Sequence, residues 1–258
     1  MTHSNFSPIS LKRVVKPYLW RFFDKLIPRT FGQLGEDAVI ANHLEWLGLN
    51  PNKPDAYADI GAFHPTRGSN TDRFYMTGSH GFAFDIGARK KHIWRISRPR
   101  DMFFNAALVP ESWKIKTVSV RTAGAFGDAS DYVEGSGVMD RNSDEIVQAK
   151  ALRPSEVEAI LVANQHWRES HWRLINVDIE GLDEKILRDC DLSRLKPDVI
   201  AIEQFVPKTV PVWEKVTYLS TCSVTTYMSE SAFSLQSICG PTLIFLRKAS
   251  RISQEKKV

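Results

Sequence analysis

The sequence predicts an α/β fold with a doubly wound, mostly parallel sheet that ends in an antiparallel edge strand. Short apolar strands alternate with amphipathic helices along most of the chain, which is the pattern of a parallel sheet covered by helices. One apolar strand contains Asp59 and leads into Gly61, and a second strand ends at Asp85. Because acids and a glycine at carboxyl strand ends are typical of nucleoside sites, the predicted fold is Rossmann-like.

The remaining elements follow from hydrophobic periodicity and from turn residues. Predicted helices cover residues 36–47, 89–97 and 154–167, a further helix ends at Cys190, and another contains Glu214. Predicted strands cover residues 102–104, 113–120, 174–178 and 199–203, and residues 224–228 and 242–246 are expected to close the sheet as a hairpin-like pair. Residues 123–141, rich in Gly, Ser and Asp, are predicted to form a long loop of the kind that often serves as a lid.

The length of 258 residues suits one large domain, which we expect to cover residues 32–248 between the basic segments 1–31 and 249–258. No apolar run approaches the roughly eighteen residues of a transmembrane helix or resembles a signal peptide, so a cytoplasmic location is expected. The three widely spaced cysteines predict buried free thiols.

The net charge of +4 is unevenly distributed along the chain. Residues 1–31 carry six Lys/Arg against Asp24, and residues 247–258 carry five against Glu255. Subtracting these from the totals of 34 basic and 30 acidic residues leaves 23 basic and 28 acidic residues, a net charge of −5. The basic stripe expected of a nucleic-acid enzyme is therefore not predicted on the folded domain.

A basic amphipathic helix is predicted over residues 11–27, where Lys and Arg avoid an apolar stripe. Its apolar face either packs on the domain or lies on the anionic inner face of a membrane. The second interpretation is favoured by Trp20, Phe22 and Phe23. Both interpretations stay open at this point.

The residues after Gly61 restrict the type of nucleoside. A dinucleotide site needs further glycines so that the backbone can approach a pyrophosphate, but Phe63 and Thr66 occupy those positions here. S-adenosylmethionine contains adenosine and no phosphate, so it needs only the first glycine. We therefore expect Asp85 to bind a ribose diol and Asp59 to lie near the cationic end of the ligand, unless both acids merely cap their strands.

Methyl transfer to an alcohol needs a group that accepts the hydroxyl proton. Asp178 is the first candidate because it ends a predicted strand, and Glu180, His64 and Glu203 follow. Each of the last three also has a structural interpretation: Glu180 as a first-turn helix acid, His64 as a hydrogen-bonded loop residue, and Glu203 as a capping residue. No metal is expected, because the acids are dispersed along the sequence.

Other chemistries lack their motifs in this sequence. There is no Tyr-x-x-x-Lys, no Gly-Lys pair of a P-loop, no His-Glu-x-x-His and no nucleophile elbow. The Pro-Pro-aromatic motif of enzymes that methylate nucleobase amines is also missing, which disfavours that chemistry.

Four ordered segments resemble the FkbM family of S-adenosylmethionine-dependent methyltransferases. They are residues 32–37, 59–71, 105–107 and 176–203, and residues 242–248 resemble the last strand of that family. The resemblance covers residues 32–248 and implies a class I methyltransferase fold. It also implies O-methylation, commonly of sugar hydroxyls in surface polysaccharides or glycosylated natural products.

The same resemblance implies which residues contact the cofactor, and it places Asp178 in the catalytic cleft. The implied cofactor contacts are Gln33, Glu36, Asp59, Gly61, Ala62, Asn70, Asp85, Ile86, Asn105, Ala106 and Asp178. Two alternatives remain: a non-catalytic adaptor of a membrane-associated glycan assembly complex, and an O-methyltransferase of a small polyketide or peptide alcohol.

Overall fold

The computed structural model describes residues 30–122, 132–133 and 145–248. The chain divides into two compact units, Met1–Thr30 and Phe31–Val258, and the fold reported is that of the second unit. The predictions for residues 11–27 and 249–258, and for most of the loop 123–141, lie outside the described residues. Among the residues described, no helix is both long enough and apolar enough to cross a membrane.

Strands and helices alternate along the described chain. The strands are β1 (Ala56–Ile60), β2 (His80–Asp85), β3 (Met102–Asn105), β4 (Ala107–Leu108), β5 (Thr117–Thr122), β6 (Tyr132–Val133), β7 (Glu145–Leu152), β8 (Arg173–Val177), β9 (Val199–Glu203), β10 (Phe233–Cys239) and β11 (Thr242–Arg247). The helices are α1 (Glu36–Trp46), α2 (Asp72–Met76), α3 (Ala88–Ser97), α4 (Pro154–Ala163), α5 (Gln165–Glu169), α6 (Asp183–Asp189), α7 (Leu192–Leu195), α8 (Lys215–Thr221) and α9 (Ser223–Glu230), with a 3-10 helix at Val212–Glu214.

The main sheet has seven strands in the order β10-β11-β9-β8-β1-β2-β3. The five strands from β9 to β3 are parallel, whereas β11 runs antiparallel to β9 and β10 antiparallel to β11. The prediction of an α/β fold with a mostly parallel sheet and an antiparallel edge is confirmed, and the sheet is compatible with a Rossmann-like fold.

Two predicted elements are wrong in detail. Residues 224–228 form part of α9, because Val224 and Met228 are four residues apart and are buried on one helical face. The strand that pairs with β11 is β10 instead. The predicted helix 154–167 is two helices, α4 and α5, separated at Asn164, whose side chain caps α5 by accepting from the His166 backbone N–H at 2.9 Å.

A second sheet of four strands, in the order β4-β7-β5-β6, was not predicted. The predicted strand 113–120 begins only at Thr117 and belongs to this sheet as β5. Its main partner is β7, a strand that was missed altogether. In β7 the side chains of Ile146, Gln148 and Lys150 are exposed. The alternation of apolar and polar residues that predicts a strand is therefore weak in this segment.

Side chains of the central strands alternate between two buried clusters. In β1, Ala58 and Ile60 belong to one cluster, and Tyr57 belongs to the other, which also contains apolar residues of α1. In β8, Leu174 lies on the side of Tyr57, and Ile175 lies on the opposite side. Since side chains two apart share a face, the face that carries Tyr57 and Leu174 also carries Asp59 and its register partner Asn176.

A buried arginine links α3 to the loop before α2. Arg98 is fully buried, and its guanidinium lies 3.3 Å from Asp72 Oδ1 and 3.6 Å from Asp101 Oδ2. It also donates to Thr71 Oγ1 at 2.9 Å and to Ser69 Oγ at 2.8 Å. Burial raises the pKa of Asp101 to about 6 although Arg98 opposes the shift. This charge network therefore fixes the segment that follows the end of β1.

The cysteines are free, as predicted, but they are half-buried and not buried. They are Cys190, Cys222 and Cys239.

Candidate functional site

A cavity opens at the carboxyl edge of the main sheet. From β1 the chain builds β2 and β3 on one side, and it later returns to the other side of β1 as β8. Ligands of open α/β sheets bind at such a switch point. The cavity is lined by Gly61, Phe63, Phe84, Asp85, Ile86, Lys90, Ala106, Ala107, Leu108, Asp178, Ile179 and Glu180.

Gly61 brings the ends of β1 and β8 into contact. Its φ is +83°, and a Cβ at this position would lie 1.6 Å from the Asp178 carbonyl oxygen. The Asp178 backbone N–H donates to the Ile60 carbonyl at 2.9 Å. A glycine is required here both for the left-handed backbone and for the close approach of Asp178.

One wall of the cavity combines a carboxylate, an ammonium group and aromatic surface. Asp85 ends β2, is 8% exposed, and its carboxylate oxygens lie 3.1 and 3.2 Å from Lys90 Nζ. Lys90 Nζ also lies 5.4 Å from the centroid of the Phe63 ring. Lys90 and Phe63 were not predicted as site residues. Lys90 lies five residues after Asp85 in a predicted basic helix, and this position could have identified it as a site residue.

A second wall of the cavity carries Asp178 and Glu180. Together with Glu203, which does not line the cavity, they form a cluster of carboxylates that we call the acid trio. One carboxylate oxygen from each lies within 4.8 Å of the others, and all three side chains are half-buried. Parallel pairing of β8 and β9 aligns Val177 with Ile202. The next residues along the two strands, Asp178 and Glu203, are therefore neighbours. Acids that are dispersed along the sequence therefore come together in the fold, because strand pairing joins residues that are distant in sequence.

The acid trio can act in two chemical ways. Carboxylate oxygens are the ligands that hard divalent cations prefer, so the trio could hold such an ion. It could also share and exchange a proton. Burial and, after it, the charge of Glu203 raise the pKa of Asp178 well above its ordinary value, with smaller contributions from Asp183 and Glu180.

The loop that carries Glu180 is held by Asp183. Its two carboxylate oxygens accept the backbone N–H groups of Ile179 at 2.8 Å and Gly181 at 3.0 Å. Burial nevertheless raises the pKa of Asp183 to about 6. Glu180 has a φ of +53° and precedes α6, so the interpretation of Glu180 as a first-turn helix acid is wrong.

The predicted site residues fall into two groups. Six of them line the cavity: Gly61, Asp85, Ile86, Ala106, Asp178 and Glu180. The others do not line it: Gln33, Glu36, Asp59, Ala62, His64, Asn70 and Asn105.

Asp59 and Asn70 belong to a polar chain on the α1 side of the sheet. Asn176 Nδ2 donates to Asp59 Oδ1 at 3.0 Å, and Asn70 Nδ2 donates to Asn176 Oδ1 at 3.0 Å. Asp59 also accepts a hydrogen bond from the Thr71 hydroxyl. Burial raises the pKa of Asp59, whereas these hydrogen bonds and Arg98 oppose the shift.

Glu36 and Gln33 lie at the entry of α1. Glu36 Oε2 accepts from the Leu34 backbone N–H at 2.8 Å. A Cβ on Gly32 would lie 2.5 Å from Glu36 Oε2 and 2.8 Å from Asn70 Oδ1, and a Cβ on Gly68 would lie 3.2 Å from Gln33 Cγ. These residues therefore meet the loop after β1, and their contact with a cofactor stays a prediction.

His64 and Asn105 support loops beside the cavity. His64 Nδ1 accepts the backbone N–H groups of Thr66 at 3.2 Å and Arg67 at 3.1 Å, as expected of the loop interpretation. Burial, and then the charge of Arg67, lower its pKa. Asn105 Oδ1 accepts the Gly87 backbone N–H at 2.7 Å and so steadies the turn after Asp85.

Ala62 is buried and does not line the cavity. It is 5% exposed and belongs to a small buried cluster with Ala83 and Trp94.

Comparison of the chain with protein-family models, curated proteins and solved structures found no match. The case for an activity therefore depends on the sequence motifs and on the residues of the cavity.

Proposed function

We propose that this protein is an S-adenosylmethionine-dependent O-methyltransferase that acts on a sugar hydroxyl of a glycan or glycosylated metabolite. One observation carries the proposal: the cavity at the switch point is lined both by Asp85, at the end of β2, and by Asp178 and Glu180, after the end of β8. The ordered motifs that resemble FkbM methyltransferases support the same interpretation.

The residues of the first wall suit an adenosine without phosphates. Phe63, Phe84 and Ile86 offer apolar surface to a purine ring. Asp85 presents a carboxylate to the cavity, and carboxylate oxygens are the acceptors that suit ribose hydroxyls. Gly61 lets the Asp178 backbone approach the end of β1, so the ends of β1 and β8 line the cavity together.

The residues of the second wall suit deprotonation of an alcohol. When bound, S-adenosylmethionine supplies an electrophilic methyl group. Asp178, which lines the cavity after the end of β8, would accept the proton of an acceptor hydroxyl. The methyl group would pass from the sulfonium sulfur of the bound donor to that oxygen, leaving S-adenosylhomocysteine. Because burial and, after it, the charge of Glu203 raise the pKa of Asp178, this carboxylate is a stronger base than an ordinary aspartate.

Calorimetric titration tests cofactor binding directly. We expect S-adenosylmethionine and S-adenosylhomocysteine to bind, and Asp85→Ala to weaken both by about 1.5–3 kcal/mol, the range for hydrogen bonds to a charged group. Glu230→Ala is the matched control, because Glu230 is an exposed acid at the end of α9. No binding of either ligand to the wild-type protein would exclude the proposal.

Transfer of a labelled methyl group to glycans from a strain that lacks this protein tests the reaction. Cofactor binding without transfer to any glycan fraction would favour the adaptor alternative. Transfer only to small alcohols would favour the alternative substrate class.

The pH dependence of turnover provides a separate test of Asp178. A base must be ionised, so turnover should rise with pH through the raised pKa of Asp178, well above the ordinary aspartate range. Glu203→Gln removes a neighbouring negative charge, and the midpoint should therefore move to lower pH. Rates measured across a pH series with saturating substrates check this. An unchanged midpoint in Glu203→Gln would show that Asp178 is not the titrating base.

A further inference from the structure

A cluster of exposed apolar residues follows β9. Eleven large apolar side chains are exposed among the described residues, and four of them lie within residues 205–216. They are Phe205, Val212, Trp213 and Val216, with exposures of 72%, 75%, 82% and 64%. Scattered apolar residues are ordinary on a protein surface, but such a concentration in one short segment is typical of an interaction site.

The local backbone brings three of these side chains, Val212, Trp213 and Val216, close together. Val212 and Trp213 lie in the 3-10 helix, which continues directly into α8, where Val216 is the second residue. Val216 is four residues after Val212 and three after Trp213, and helical residues at these spacings are neighbours on one surface. The same segment carries the exposed charges of Lys208, Glu214 and Lys215, which leave it with a net charge of +1.

We infer that residues 205–216 form a docking surface for an anionic lipid membrane, and we call it the 205–216 surface. Tryptophan and phenylalanine prefer the boundary between headgroups and acyl chains, and lysines beside them attract anionic headgroups. This inference does not depend on the proposed methyl transfer.

Size and charge disfavour other occupants. A stable dimer interface buries about 800 Å² per partner and involves about 20–30 residues on each side, which far exceeds four apolar side chains. Within residues 205–216 two lysines outnumber the one acid, Glu214, so an anionic surface suits the segment better than a cationic one. An anionic membrane would attract these lysines while its interfacial region takes up the exposed apolar side chains.

The 205–216 surface begins beside the candidate site. Phe205 is two residues after Glu203 of the acid trio, and two residues of chain span at most about 7 Å. Docking through this surface would place the acid trio next to the headgroup layer.

Flotation of the full-length protein with lipid vesicles tests the inference. We expect binding to vesicles of phosphatidylglycerol and phosphatidylcholine in equal amounts, and weaker binding to phosphatidylcholine alone. Trp213→Ser combined with Val216→Ser should lower the partition coefficient for the mixed vesicles at least about tenfold, because the buried apolar area is lost. Lys208→Glu combined with Lys215→Glu should weaken the preference for the anionic vesicles.

Trp46→Ser is the matched control, because Trp46 is 69% exposed but lies in α1, outside the 205–216 surface. It should change partitioning by less than about twofold, as expected of a scattered apolar residue. Circular dichroism and the thermal midpoint establish that all variants are folded. Equal losses in the double variant and in Trp46→Ser would overturn the inference. It would also be overturned if the double variant kept full vesicle binding, or if it instead dissociated a homodimer in sedimentation velocity.

Discussion

Asp178→Asn should lower turnover by about 10²–10⁴-fold, the usual contribution of a positioned general base, while the affinity for S-adenosylmethionine changes little. The amide keeps the size of the side chain but cannot accept the hydroxyl proton. Steady-state rates and calorimetric titration of the same preparation measure the two quantities separately. Parallel loss of turnover and cofactor affinity would remove Asp178 from the catalytic role.

The same substitution should make the protein more stable at alkaline pH. The folded-state pKa of Asp178 lies above its unfolded value, so the folded state binds this proton more tightly. Stability associated with the proton is complete below the unfolded pKa and is lost as pH rises through the folded pKa. Asparagine never ionises and avoids this loss. If Asp178→Asn lowers turnover and raises the thermal midpoint, Asp178 is retained for function at a cost in stability.

Arg98→Met should lower the free energy of unfolding by about 3–5 kcal/mol, because it leaves buried carboxylates without their cation. Asp72 and Asp101 both lose an ion-pair partner, and their side chains are 5% and 0% exposed. Denaturant unfolding monitored by circular dichroism measures the change. The deficit should be smaller near about pH 5 than near about pH 8, because Asp101, with a pKa raised to about 6, takes up a proton and no longer needs a counter-charge.

Arg95→Met is the control for Arg98→Met, since Arg95 lies on the same helix and is exposed. Surface substitutions of this kind usually change stability by less than about 0.5 kcal/mol. A similar, small effect of both substitutions would contradict a structural role for the Arg98 network.

The central strands of the main sheet are predictable because each is a short, mostly apolar run with an acid or an amide at its carboxyl end or next to it. Asp85 and Asp178 could be placed at the carboxyl edge for the same reason, and both line the cavity. Gly61 was identified from its position after the first strand, although its close contact with the Asp178 carbonyl is visible only in three dimensions.

Features that depend on strand pairing are not predictable from local pattern. Glu203 was one of several candidate bases, and its proximity to Asp178 follows only from the register between β8 and β9. Asp59 was expected to face a ligand, but the register places it beside Asn176, to which it is hydrogen-bonded. The strand β7 escaped prediction because three of its side chains face outward. Residues 224–228 were misassigned because a five-residue apolar pattern fits a buried strand and a helix equally well.

The pairing of β1 with β8 also determines when the protein can function during its own synthesis. The hydrogen-bonded residues Asp59 and Asn176 are 117 positions apart, so a ribosome adding about 5–20 residues per second leaves this edge of β1 open for roughly 6–24 s. An unpaired apolar strand edge is a template for pairing with other chains. A nascent chain is therefore exposed to aggregation during this interval, and a product truncated before β8 stays exposed. The cavity, which takes one wall from the end of β8, becomes able to bind its ligand only after that strand has emerged.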